Sequence, residues 1–337
     1  MPDTMRAAYV ERLGGPEQIR VGELPVPRPG PTDVLVQVAA SAVNVVDGFV
    51  RAGYYQTPLS FPFVLGRDLV GMVVEPAPGF EAGERVWCNS LGHGGRQGAA
   101  AEYAVVPTDR LYRLPPAVDD PRLAVASLHP AATAWLALHR HAHLVAGETV
   151  YVGGAAGSVG SGLVQLAAES GARVIACARD YDTDWCTERG AVAVLDYRDP
   201  ALYDAVRELA PDGVNVWIET SGHNDFTSAV PLLARGGRVV VLAGYASHPV
   251  ADLPVGPLYT RDCSLLGFSI SNATAADLAA AAPAVSRLIA GDRPVVRIAA
   301  VLPLSAAARA HRIISGEEPM PGRGRLVLVP DALLDED

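Results

Sequence analysis

The sequence predicts an α/β protein of two domains, one β-rich and one built on a doubly wound parallel sheet. Three observations carry this. Up to about residue 120, short apolar or alternating runs are separated by Pro/Gly turn signals such as PVPRPGPTD and APGFEAGE. From Leu123 to about Phe268, apolar runs alternate with helical stretches, the rhythm of a parallel sheet. At the first strand-to-helix passage, in VYVGGAAGSVGSGLVQLAAESGARVIACARD (150–180), glycines crowd the turn.

At 337 residues the chain exceeds one ordinary core and suits two domains. Half of it is hydrophobic and 19% is charged, which excludes a disordered chain. A net charge of −10 repels phosphates and argues against nucleic acid or an anionic membrane as partner. The start, MPDTMRAAYVERLGG, has no signal-type apolar core, and no run reaches the ~20 apolar residues that span a bilayer, so a cytoplasmic location is expected. Cys88, Cys177, Cys186 and Cys263 form no CxxC pair and are expected as buried apolar residues.

In chain order, the first strand candidates are RAAYV, DVLVQVAASAV, LVGMVVEP, GERVWCN and AEYAVV, a spacing that suits a small barrel or sandwich. In the second domain the strands are TVYVGG, RVIACA, AVLDY, GVNVWIETSG, GGRVVVLAGY and CSLLGFSI. The helices between them include VGSGLVQLAAESG, DTDWCTERG, DPALYDAVRELA and FTSAVPLLARGG, and the glycines after QLAAES, CTER and PLLAR read as helix C-caps. The tail, with a helix in TAADLAAAAPAVSRLIAG, a strand IAAVLPL, a helix SAAARAHRIISG and a strand GRLVLVP, flanks a complete α/β unit and is expected to return to the first domain. The expected division is 1–125 with 269–337, and 126–268.

The glycine turn has a physical purpose. Gly154 permits a tight turn, Gly157 lets a pyrophosphate approach the backbone, and Gly160 lets the helix pack close to the sheet. With Ala155, Ala156, Ser158 and Val159 they form a loop whose helix aims its N–H groups at the phosphates. The second strand ends at Ala178, where an acid would select NAD; Ala178 cannot accept the ribose hydroxyls. Arg179 follows and can pair a 2′-phosphate, which favours NADPH, although Asp180 offers an acid one place later.

Over essentially its whole length the chain resembles the zinc-independent quinone oxidoreductase branch of the medium-chain dehydrogenase/reductase superfamily. The ordered pieces that carry this include RPGPTDVLVQVAASAVNVVDGFVRAGYY, LGRDLVGMVVE, PAATAWLAL, VYVGGAAGSVGSGLVQLA, GGRVVVLAGY, LLGFSI and GRGRLVLVP. The resemblance implies a GroES-like catalytic domain, a Rossmann domain, a cleft between them and a homodimer. It implies that Asn44 and Asp47 are the branch's N-x-x-D and Tyr55 the tyrosine of its G-x-Y. Thr133, Gly244, Phe268 and Ser269 are implied near the nicotinamide, and Tyr245 and His248, in AGYASHP, are candidates to touch the nicotinamide or the substrate. Tyr197 is implied beside the 2′-phosphate, and Arg325 stands where relatives carry a lysine near the cofactor. Arg323 and Arg325 depart from the pattern.

Zinc relatives bind their metal through two cysteines and a histidine. Here Asn44 and Arg67 hold two of those positions, and an amide and a guanidinium do not make a zinc site. His129 offers one nitrogen. His139, His141 and His143, near a helix end, read as surface residues rather than a metal tract. The expected reaction is hydride transfer from NADPH to a small electrophile: a quinone or an α,β-unsaturated carbonyl, including an enoyl thioester. Tyr55 is the candidate proton donor, in competition with Tyr54 for the inward position, and Asn44 would hold the oxygen, the tyrosine or a water. Asp47 is read as capping a helix. A zinc-type alcohol dehydrogenase and an NADPH-binding sensor with lost catalysis are the alternatives.

Overall fold

The computed structural model describes residues 1–245 and 249–334. The chain opens with β1 (Thr4–Val10), β2 (Arg20–Pro25), β3 (Asp33–Val43) and α1 (Val45–Ala52). β4 (Phe63–Val64), β5 (Asp68–Val73), β6 (Arg85–Cys88), β7 (Tyr103–Pro107) and β8 (Tyr112–Arg113) follow. Helix α2 (Pro121–Trp135) leads into β9 (Thr149–Gly153), α3 (Ser158–Glu169), β10 (Arg173–Ala178), α4 (Thr183–Glu188) and β11 (Ala191–Asp196). Next come α5 (Leu202–Leu209), β12 (Val214–Glu219), α6 (Phe226–Ala229), β13 (Leu233–Val241), α7 (Val255–Thr260) and β14 (Ser264–Gly267). The tail holds α8 (Ala275–Ile289), β15 (Ile298–Pro303), α9 (Ala307–Ile314) and β16 (Arg325–Val329).

The chain forms two compact units, 1–129 with 278–337, and 130–277. Their limits fall inside α2 and α8, a few residues beyond the division expected at 125 and 268.

The first unit holds a three-stranded sheet, β2-β1-β4, and a seven-stranded sheet, β15-β16-β3-β5-β6-β8, with β7 also on β3. β3 is central because alternate residues serve different cores. Val34, Val36 and Val38 enter a cluster with Leu69, Val86 and Leu111, whereas Val43 joins Val50, Phe63, Leu65, Leu326 and Leu328. The tail returns through β16, which pairs antiparallel with β3 in the register Leu326↔Val43 and Leu328↔Ser41.

In the second unit, six strands run parallel in the order β11-β10-β9-β12-β13-β14. β9 and β10 read as continuous apolar runs because helices cover both faces of such a sheet. The order reverses between β9 and β12, and the crevice at the carboxyl ends of strands at such a reversal is where ligands bind in this architecture. The stretch FTSAVPLLARGG is not the single helix expected. After α6 and a short helical turn over 230–232 containing Pro231, Leu233 begins β13 and pairs with Val214. Leu233 is buried in the core, and Gly236, at φ 73°, sits where the β12–β13 register shifts, so it serves a bulge rather than a helix end. Gly171 and Gly190 do follow helices, both with positive φ. Cys88, Cys177 and Cys186 are buried, but Cys263 is only partly so; all four are free thiols. Among the described residues no helix is long and apolar enough to cross a membrane.

Candidate active site

The glycine turn leaves β9 at Gly153 and enters α3 at Ser158. Gly154 adopts φ 65°, and a Cβ there would sit 2.5 Å from Thr220 Oγ1. A Cβ on Gly160 would sit 2.1 Å from the Gly154 carbonyl oxygen, so the helix presses directly on the turn. Gly157 is the N-cap, and a Cβ there would meet only the Gly154 oxygen, at 3.1 Å. Its missing side chain therefore matters less to the protein's own packing than to whatever approaches the turn. Ala155 is buried and its N–H donates to the Cys177 carbonyl at 3.0 Å, which ties the turn to β10; Ala156 lies between. The first intrahelical bond runs from Ser161 N–H to the Gly157 carbonyl at 2.8 Å, so the N–H groups of Ser158, Val159 and Gly160 precede it and have no acceptor within the helix. That end of α3 carries partial positive charge and suits a pyrophosphate.

Arg179 and Tyr197 each follow a strand, β10 and β11, whose ends pair as Ala178↔Asp196. Arg179 Nη1 donates to Tyr197 Oη at 3.1 Å, and the guanidinium lies 5.6 Å from the Tyr197 ring centroid and 5.3 Å from that of Tyr181. The tyrosine hydrogen bond raises the guanidinium's pKa still further, so it is a permanent cation. Arg198, not singled out from sequence, donates to Asp196 at 2.7 Å and lies 3.6 Å from Asp180 Oδ1. The alternative acid is thus already next to an arginine. The signal for Arg198 was its place beside Tyr197 in LDYRD, unreadable until β10 and β11 were adjacent.

Thr133 lies in α2 and is buried; this helix packs on α3 where Gly162 approaches Ala134. Gly244, at φ 119°, and the exposed Tyr245 end the described part of the loop after β13, which Asn224 Nδ2 anchors by donating to the Ala243 carbonyl at 2.9 Å. His248 lies outside the described residues. Phe268 stacks on His141 at 4.4 Å between ring centroids, and Ser269 caps a short turn by accepting from Ser271 N–H. Thr220, missed from sequence, donates to the Gly153 carbonyl at 2.8 Å and braces the end of β9 from β12.

In the first unit a buried polar cluster surrounds the start of α1. Asn44 is its N-cap residue, and Asp47 Oδ2 accepts the Asn44 backbone N–H at 2.8 Å, the capping role expected for Asp47. Asn44 Nδ2 donates to Asp68 Oδ2 at 3.0 Å and to Asp47 Oδ2 at 3.3 Å. Arg325 Nη2 donates to Asn44 Oδ1, so this arginine is turned into the unit's own interior. Burial pushes the Asp47 carboxyl up to about 6 and the Asp68 carboxyl up to about 7, against the opposing pull of Arg67 and Arg325. His129 Nδ1 lies 3.9 Å from Asp68 Oδ1, and burial together with Arg67 and Arg325 keeps its imidazole neutral. Both N–H groups of Asn44 are therefore committed to carboxylates, and in this arrangement it has none to give a developing oxyanion.

Gly53, in the left-handed conformation, ends α1, and the two tyrosines diverge after it. Tyr54 is 66% exposed and meets Phe49 edge-on, whereas Tyr55 is half-buried and packs against the Val50, Phe63 and Leu65 cluster. Tyr55 is the member of the pair that packs against this unit's apolar core.

A catalytic zinc does not fit these donors. Position 44 presents an amide already bonded to two carboxylates, position 67 a buried guanidinium, and the partly buried Arg325 adds a second cation that would repel a dication. Among the described residues no group of three or more His, Cys, Asp or Glu side chains converges as a metal site. His139 meets Trp135 and Ser170, and His141 stacks on Phe268.

Residues 30–116 match the alcohol dehydrogenase GroES-like domain, and residues 158–287 match the zinc-binding dehydrogenase domain. The quinone oxidoreductase of Rattus norvegicus is 31% identical over 318 residues, which is 92% of this chain and 94% of that protein. That of Sus scrofa is 31% identical over 332 residues, covering 96% and 98%. Among solved structures, a mycobacterial quinone oxidoreductase superposes with a TM-score of 0.82 at 28% identity, over 97% of this chain and 100% of that one. A mycobacterial protein complexed with NADPH gives a TM-score of 0.80 at 29% identity, again over 97% and 100%.

Proposed function

Because the chain belongs to the quinone oxidoreductase group of the medium-chain dehydrogenase/reductase superfamily, we propose that it is an NADPH-dependent, metal-independent reductase of quinones or α,β-unsaturated carbonyls. Enones and enoyl thioesters belong to the same electrophile class. The observation that carries the cofactor assignment is the Arg179–Tyr197 pair, with Arg198 standing beside Asp180. A 2′-phosphate is a dianion that such a cation and hydroxyl recognise, and a bare ribose does not need them.

NADPH, when bound, would supply the hydride. The chain's own contribution begins with the α3 amino end and Gly157, which would hold the pyrophosphate. Arg179 and Tyr197 would hold the 2′-phosphate. Thr133, Gly244, Tyr245, Phe268 and Ser269 would hold the nicotinamide half, with Asn44. Hydride addition leaves negative charge on the acceptor's oxygen, which needs a hydrogen bond and then a proton. With the Asn44 N–H groups engaged, Tyr55 is the residue to which this role falls. The protein would act in the cytoplasm on a small molecule, with no nucleic acid or membrane partner.

A homodimer is part of the same proposal. β14 is the edge of its sheet, Leu265 on it is 39% exposed, and α7 beside it in sequence buries none of its residues. An edge strand with exposed apolar side chains offers unpaired backbone groups to a second copy.

The test is a fluorescence titration with NADPH and NADH, followed by turnover on a panel of quinones, enones and enoyl thioesters, with Tyr55→Phe beside wild type. Tighter binding of NADPH, and a kcat reduced roughly 10²-fold or more in Tyr55→Phe, are expected. NADH binding as tight as NADPH, or full turnover without the hydroxyl, would refute the corresponding half.

A further inference from the structure

A primary amide has two N–H donors and two acceptor lone pairs. At Asn44 both N–H groups are used inside the protein, by Asp68 and Asp47, and Oδ1 accepts from Arg325. Asn44 is 2% exposed, and Asp47 and Asp68 are buried with it. Rotating the amide by half a turn would set its oxygen against two carboxyl groups and its N–H groups against a guanidinium. In a buried site that reversal forfeits three hydrogen bonds and opposes like partial charges. The amide therefore has one orientation, set from outside by charged neighbours.

We propose that Asp68 and Arg325 are positioning residues that fix the Asn44 amide, so that it can present a ligand only its oxygen edge and no N–H donor. The proposal rests on reading Asn44 as a site residue. The chemistry that Asn44 then recognises is a hydroxyl or an amide N–H, such as a ribose hydroxyl, a carboxamide or the Tyr55 hydroxyl, and not a developing oxyanion. Arg325 acts through Asn44 and makes no cofactor contact of its own. The charged and titratable groups facing Asp68 come from every surrounding element: Asp47 on α1, Arg67 just before β5, Cys88 on β6, His129 on α2 and Arg325 on β16. Arg67 and Arg325 oppose the burial that raises both carboxyl groups, so loss of Arg325 removes one of the two cations facing the pair.

The experiment has two arms on the full-length protein. With ¹⁵N-asparagine labelling, five side-chain amides are visible, and the one absent in Asn44→Asp is assigned to Asn44. Its N–H groups should exchange with solvent slowly, and at least about tenfold faster in Arg325→Met and Asp68→Asn, with protection recovered in Arg325→Lys. Exchange unaltered in both variants would overturn the clamp. In the kinetic arm, Arg325→Met should lower kcat about tenfold or more while the NADPH Kd moves by less than about threefold, and Arg325→Lys should recover most of the loss. A weakened Kd with kcat preserved would make Arg325 a cofactor ligand and overturn the positioning role. If wild type turns over no acceptor at all, the reductase reading fails, while the exchange arm still decides the clamp.

Discussion

Arg179 and Tyr197, eighteen positions apart, meet at 3.1 Å because β10 and β11 are parallel neighbours that end in register. The guanidinium and the phenol hydroxyl together form a donor pair, and Arg198 holds the neighbouring acids. Replacing Arg179 with alanine should weaken NADPH binding about tenfold or more and leave NADH within about twofold, since only the former carries the phosphate. Arg198→Ala should also reduce the preference, by releasing Asp180 toward the phosphate. Titration of each variant with both nucleotides decides this, and equal losses for the two nucleotides would show that the pair does not read the phosphate.

The glycines of the turn should separate into a folding role and a binding role. A methyl at position 160 would stand 2.1 Å from the Gly154 oxygen and 2.8 Å from the Ala155 Cα, both backbone atoms that cannot turn aside. Gly160→Ala should cost about 1–3 kcal/mol of stability, read as a lower denaturation midpoint. At position 157 the methyl has only one 3.1 Å contact. Gly157→Ala should melt close to wild type and bind NADPH more weakly, because the methyl occupies the phosphate's approach. The reverse ordering of the two variants in melting would contradict the geometry.

His311 on α9 supplies a pH test. It is 2% exposed, and burial, with a smaller push from Arg51, lowers its imidazole to about 3. The unfolded chain binds this proton below about 6.5, and the native chain does not until near 3, so stability falls as pH drops through that window. Between pH 7.5 and pH 5 the contribution is about 1.5 pH units at 1.36 kcal/mol each, roughly 2 kcal/mol. Asp47 and Asp68, raised by burial, act in the opposite sense as pH rises past their ordinary values. Comparing urea unfolding of wild type and His311→Gln at the two pH values isolates the histidine, and an identical pH dependence in both would refute the assignment.

The exposed edge of the six-stranded sheet predicts association. Leu265→Arg places a charge at an exposed position within β14 and should convert a dimer to monomers in sedimentation with little change in melting. A wild type that sediments as a monomer, or a variant that stays dimeric, would exclude this edge.

Much of the fold was legible from local pattern. β3 was bounded at both ends as DVLVQVAASAV, and the β9–α3–β10 unit announced itself through the glycines, because strand period, helix period and turn chemistry are properties of neighbouring residues. The FTSAVPLLARGG stretch was misread because LLAR fits a helix locally, and only pairing with β12 makes Leu233 the start of a strand. The site divides in the same way. Position after the second strand sufficed to nominate Arg179, whereas the family resemblance nominated Asn44, Tyr55 and Tyr197. The sequence by itself determined most element types, the nucleotide-type turn and the absence of cysteine where a zinc ligand would stand. Tertiary structure alone decided that Tyr55 and not Tyr54 packs against the apolar core, that Arg325 reaches Asn44 across 281 positions, and that Asp68 holds the same amide from β5. Those facts depend on which strands become neighbours and on the strength of charge in a dry interior, neither of which any short window of residues contains.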